Sequence, residues 1–119
     1  MKHEEFNEGF RERTKKFASE VINYCDRLPS TPSVRVIQFQ LCKSSTSVGA
    51  NFRAFCRGRS KNEKYAKICI VVEEADESLY WLELILDAGK DTSEKLTWLT
   101  QESLEILKVV AKIKSGFEP

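Results

Sequence analysis

The chain has 119 residues, 41% apolar and 31% charged, with 19 basic against 18 acidic side chains and a net charge of +1. That length suits one domain with one real core, so a single domain over residues 1–119 is expected. No run approaches about 18 uncharged apolar residues, which excludes a transmembrane helix. The acidic stretch Met1 to Phe10 has no apolar centre and does not read as a signal peptide, so a cytoplasmic protein is expected.

Four helical segments follow one another, each with apolar residues recurring every three or four positions. The first runs from about Glu4 to Arg27 on the stripe Phe6, Phe10, Phe17, Val21, Tyr24 and Leu28, with Arg13 in line. Pro29 ends it, because the residue before a proline avoids helical angles. Thr31 caps the second helix, and Pro32 suits its first position, where a missing N–H is no loss. Its stripe is Val34, Ile37, Leu41, Ser44, Val48, Asn51 and Phe55, with Gly58 just past its end. Lys43 to Ser47 is its weakest part, since serine and threonine compete for backbone hydrogen bonds and favour a bend. Ser44 and Asn51 place polar atoms in the seam, with Arg13 or a third-helix carboxylate as possible partners. Gly49 costs about 1 kcal/mol inside a helix, which points to close backbone approach there.

Ser60-Lys61-Asn62-Glu63 is a capping box that opens the third helix. Its seam is Tyr65, Ile68, Val72, Ala75, Leu79, Leu82 and Leu86, and Gly89 closes it. The fourth begins near Asp91 or Ser93, carries Leu96, Leu99, Ser103, Ile106, Val110 and Ile113, and stops before Gly116. Three short connections force antiparallel neighbours. The expected fold is all-α, an up-down-up-down four-helix bundle.

The third helix has more apolar surface than one seam needs. Ile70 widens the stripe, and Tyr80, Trp81 and Leu84 project away from it. A second apolar face on a small bundle marks an interface, so self-association through Ile70, Tyr80, Trp81 and Leu84 is expected.

Charge is sorted along the chain. Val34 to Val72 holds eight basic residues and one acidic, whereas Glu73 to Glu94 holds eight acidic and one basic. Folding the second and third helices about Arg59-Ser60 gathers the basic residues at one end. The acidic cluster Glu73, Glu74, Asp76 and Glu77 then lies roughly 20 Å further along the helix, beyond a Debye length of about 8 Å at physiological salt. Lys61 and Lys64 also oppose the macrodipole in the first turns of a helix, which suggests an anionic partner. Arg53, Arg57, Arg59, Lys61 and Lys64 are the expected phosphate contacts for RNA or DNA. Phe52, Phe55 and Tyr65 fall inside by the stripes, so base stacking is not expected. The competing reading is a structural or protein-interaction scaffold without nucleic-acid binding, its charge dipole used to dock subunits or a protein partner.

Nothing in the chain reads as catalytic. There is no G-x-S-x-G, no Walker loop and no H-E-x-x-H, and the one histidine is His3. Cys25, Cys42, Cys56 and Cys69 lack the short spacing of a zinc site, so no metal, no cofactor and reduced, packed thiols are expected. No enzyme activity is expected.

Several strings resemble a known family. They are Arg13-Thr14-Lys15-x-Phe17-Ala18, Leu28-Pro29, the run from Gln40 to Ala54 with Ser47-Val48-Gly49-Ala50-Asn51 at its centre, Arg57-x-Arg59-Ser60-Lys61, and Glu73-Glu74-Ala75-Asp76-Glu77-Ser78-x-Tyr80-Trp81-Leu82-Glu83-Leu84. From about Arg13 to Leu86 the chain is similar to the bacterial four-helix-bundle proteins named for the 23S ribosomal RNA intervening sequence. The resemblance implies a homopentamer. It also implies kinship with the accessory variability protein of diversity-generating retroelements, a basic pentamer that binds nucleic acid and a reverse transcriptase. This chain departs from that relative in being near neutral, with its basic residues confined to one region.

Overall fold

Local capping explains where each helix starts and stops. The computed structural model describes residues 3–118, with α1 at His3–Arg27, α2 at Pro32–Cys56, α3 at Lys61–Asp87 and α4 at Glu94–Ser115. The Thr31 hydroxyl accepts from the Val34 N–H at 3.3 Å, and Pro32 occupies the first turn of α2. The Ser60 hydroxyl accepts from the Glu63 N–H at 3.1 Å. The Glu63 carboxylate reaches back to the Arg59 N–H at 2.6 Å, one residue upstream of the usual capping-box partner. Of the two candidates for the start of α4, Ser93 is the cap, accepting from Leu96 N–H at 3.2 Å. Asp91 instead accepts from the N–H and hydroxyl of Ser93 and from the Tyr24 hydroxyl.

Gly89 ends α3 with φ 67°, the left-handed angle that a Schellman motif needs. Its N–H donates to Leu86 and that of Lys90 to Ile85, both at 3.0 Å. Gly58 is present for a different reason. Its backbone is not left-handed, but a Cβ there would stand 2.7 Å from Lys64 Cγ. The glycine makes room for a lysine from the next helix.

The four helices form an up-down-up-down bundle 44 Å long and 23 by 19 Å across, with no strand among the described residues. Each helix packs on its chain neighbour, and α1 meets α4 least. One core runs through it, built on Phe17, Val21, Leu41, Val48, Phe52, Ile68, Leu82, Leu99 and Ile106. The bidentate Arg13–Glu102 pair, at 2.7 and 2.8 Å, ties the sparse α1–α4 side.

The core departs from the expected stripes in three places. In α3 the buried face is Ile68, Val71, Ala75, Ser78, Leu82 and Ile85, while Tyr65 and Leu86 are 36% and 52% exposed. This helix is apolar on nearly every side, so the packing of α2 and α4 against it selects the face. In α2, Phe52 takes the interior position and Asn51 turns back onto the Ser47 carbonyl and hydroxyl. Arg13, occupied by Glu102, partners neither seam residue; Ser44 meets Ser78 at 3.0 Å. Third, α2 runs unbroken through Lys43 to Ser47, whose hydroxyls bond back to carbonyls of their own helix.

All four cysteines are unpaired, with Cys25 buried. Burial, then the neighbouring Cys42 thiol, pushes the Cys25 thiol well above its ordinary range, so it remains an inert packed group.

Candidate nucleic-acid interface

The helix order brings three pieces of chain to one end of the bundle: the first turns of α1, the turn between α2 and α3, and the last turns of α4. The five expected phosphate contacts all fall at or near this end, but they do not form one patch. Arg53 is exposed and lines a groove of about 240 Å³ between α1 and α2. Arg11, Glu12 and Lys15 share that groove, over a floor that includes Gly49 and Ala50. Lys61 and Lys64 line a separate cleft of about 850 Å³ at the tip. Arg57 and Arg59 stand exposed on the turn itself, where the Arg57 N–H closes α2 on the Ala54 carbonyl at 3.1 Å.

Lys64 is the best anchored of the five. Its ammonium donates to the Phe55 carbonyl at 3.2 Å and lies 5.0 Å from the centre of the Phe55 ring. This contact uses one of three donors and neutralises no charge. Arg13–Glu102, Lys95–Glu20 and Lys114–Glu118 are the ion pairs among the described residues. None involves Arg53, Arg57, Arg59, Lys61 or Lys64. The end is not purely basic, because the first turn of α1 brings Glu4 and Glu5 to it.

The site also contains residues that the stripes did not point to. Lys112 joins Lys61 and Lys64 in the tip cleft, and Arg11 and Lys15 join Arg53 in the side groove. Only the pairing of helix ends could have revealed them, since they lie 38 or more positions from their partners in sequence. The aromatic expectation is corrected in part. Phe52 is fully buried and Phe55 is 5% exposed, but Tyr65 is 36% exposed, and Phe6 and Phe117 line the tip cleft beside Phe55.

On the outer side of α3 the surplus apolar residues divide. Tyr80 is 53% exposed and meets Trp81 edge-on at 4.9 Å. Trp81 and Leu84, expected to project, are half-buried against the rim of the core, and Ile70 is half-buried as well. The Trp81 indole N–H is buried without an acceptor among the described residues. Val36 and Phe39 on α2 are more exposed, at 57% and 65%. In the acidic cluster, burial, then the charge of Glu77, holds the Glu74 carboxyl above the usual range.

A family model described as 23S rRNA-intervening sequence protein matches residues 9–112. The chain belongs to that family. A crystal structure of a protein of unknown function from the S23 ribosomal protein family of Bacteroides thetaiotaomicron is similar, at 28% identity and a TM-score of 0.82. The match covers 92% of this chain and 97% of the other. No curated protein matches. The region shared with the intervening-sequence family spans all four helices, so it includes both the basic end and the outer face of α3. No helix among the described residues is long and apolar enough to cross a membrane, and no group of three or more potential metal ligands gathers among them.

Proposed function

We propose that this intervening-sequence protein is a non-enzymatic homo-oligomer, a pentamer, that binds RNA or DNA through backbone phosphates at the α2–α3 end. The observation that carries this reading is that Arg53, Arg57, Arg59, Lys61 and Lys64 have no carboxylate partner among the described residues. Unpaired cations on exposed positions release phosphate counterions on binding, which drives affinity without reading sequence. Their split between a side groove and a tip suits a strand that tracks along the outside of α2 and over the turn. Surplus apolar surface at Ile70, Tyr80, Trp81 and Leu84 supports self-association.

The test is fluorescence anisotropy with short single-stranded RNA and duplex DNA over a salt series. Binding is expected at low salt, and an Arg53→Gln/Arg57→Gln/Lys61→Gln variant should give a shallower slope, by up to about 0.9 per lost duplex phosphate contact. Absence of affinity for any polynucleotide at low salt refutes the proposal. Loss of the oligomer in that triple variant, seen by light scattering, instead supports a scaffold whose basic end docks on a neighbour.

A further inference from the structure

The tip cleft combines apolar and basic side chains. Its volume of about 850 Å³ falls within the range of roughly 300–1,000 Å³ typical of small-molecule sites. Five apolar side chains line it: Phe6 from α1, Phe55 from α2, Val109 and Ile113 from α4, and Phe117 beyond α4. Phe55 and Phe117 meet edge-on at 5.7 Å, so part of that wall is held by ring packing. Lys61, Lys64 and Lys112 also line it, and none of them has an ion-pair partner among the described residues. Lys64 is aimed by its bond to the Phe55 carbonyl, with donors to spare.

An open, apolar-lined cleft beside three ammonium groups that carry no ion pair fits a particular chemistry. We propose that the tip cleft binds one anionic amphiphile per chain, a carboxylate with an aliphatic body. The body lies among Phe6, Phe55, Val109, Ile113 and Phe117, and the head group meets Lys61, Lys64 and Lys112. A nucleobase is the poorer fit, because only His3 and Asn7 among the other described lining residues offer side-chain polar atoms to read its edges. Lysine is suited to the role, since a compact point charge takes a carboxylate from several directions. This site shares Lys61 and Lys64 with the polynucleotide reading but does not require it, because its apolar wall and Lys112 play no part in that reading.

The dye 8-anilino-1-naphthalenesulfonate tests it first, with full-length protein and displacement by alkanoates. Saturable dye binding near one site per chain is expected, with displacement by decanoate. Across hexanoate, octanoate and decanoate, affinity should rise by up to about fourfold per added methylene, the effect of burying each one. Decanol should bind more weakly than decanoate by on the order of tenfold, as should decanoate to a Lys61→Gln/Lys112→Gln variant. Both lysines are exposed, so that variant keeps its fold, which circular dichroism verifies. Val109→Phe should fill the cleft and weaken decanoate and decanol alike, leaving RNA affinity unchanged. Any of three results overturns the assignment: no saturable dye binding, equal decanoate affinity in the double lysine variant, or displacement by AMP but not by decanoate.

Discussion

Lys64 Nζ and the Phe55 carbonyl oxygen stand 3.2 Å apart, so a side chain from α3 completes the last turn of α2. Gly58 lies beneath that lysine, where a Cβ would come within 2.7 Å of Lys64 Cγ. The two residues act as one device that closes the turn. Lys64→Met should lower unfolding stability by about 1 kcal/mol, the usual worth of one such hydrogen bond. Gly58→Ala should displace the lysine and cost a similar amount. In the double variant the second change should cost less than it does alone, because the bond is already gone. Urea unfolding of the four proteins measures the coupling, and strict additivity would contradict the arrangement.

Two buried serines should respond in opposite directions. The Ser78 hydroxyl lies 3.0 Å from Ser44 Oγ and donates to the Glu74 carbonyl at 2.9 Å. Ser103 is 1% exposed, and its hydroxyl has no hydrogen-bond partner among the described residues. A buried hydroxyl that gave up water for nothing costs stability, on the order of 1 kcal/mol. Ser103→Ala should therefore raise the melting temperature, and Ser78→Ala should lower it. Calorimetry on the two single variants separates the cases.

Helix existence, order and caps were legible in the sequence because each depends on neighbours a few positions away. Thr31, Pro32, Ser60 and Gly89 do in the structure what their types and spacing imply. The inward face of α3 was not legible. Ile68 to Val72 are apolar without a break, and periodicity cannot choose among Val71, Val72 and their neighbours when every direction is apolar. The choice falls to packing by α2 and α4. The basic end was legible where its residues cluster in sequence, from Arg53 to Lys64. Lys112, Phe6 and Phe117 were not, because they arrive from the far ends of the chain.

Acid should act on the end opposite the basic tip. Asp91 accepts from Tyr24 at 2.7 Å and from Ser93. Desolvation pushes its carboxyl up, but those hydrogen bonds together outweigh it and hold it below the ordinary range. Glu20 is likewise held low, first by its hydrogen bond with Lys95 and then by that charge. Both lowered groups contribute stability that is fully present above the unfolded carboxyl range, about pH 4. It is lost as pH falls through their depressed folded values. Glu74 has the reverse sign: its raised value costs stability at neutral pH, and protonation relieves that cost. Thermal melts from pH 8 to 3 should show Asp91→Asn less stable than the parent at pH 7, with the gap narrowing below about pH 4. Glu74→Gln should melt higher than the parent at pH 7 and lose that advantage in acid.

Self-association and internal packing can be separated on the outer face of α3. Tyr80 is 53% exposed and touches Trp81 only edge-on, so a charge at position 80 leaves the protomer intact. Trp81 is half-buried against the core, so its removal opens a void inside the protomer. Tyr80→Glu should dissociate an oligomer built on this face while helix content and melting of the dilute protein stay unchanged. A carboxylate buried in a seam between subunits loses its water without gaining a counter-charge, and Glu73, Asp76 and Glu77 on the same helix make the surface around it more acidic still. Trp81→Ala should instead lower stability by about 3 kcal/mol whether or not a partner is present. Light scattering at matched concentrations, beside thermal melts, reads both effects. An unchanged mass for Tyr80→Glu would move the interface elsewhere, with the exposed Val36 and Phe39 of α2 the next surface to test.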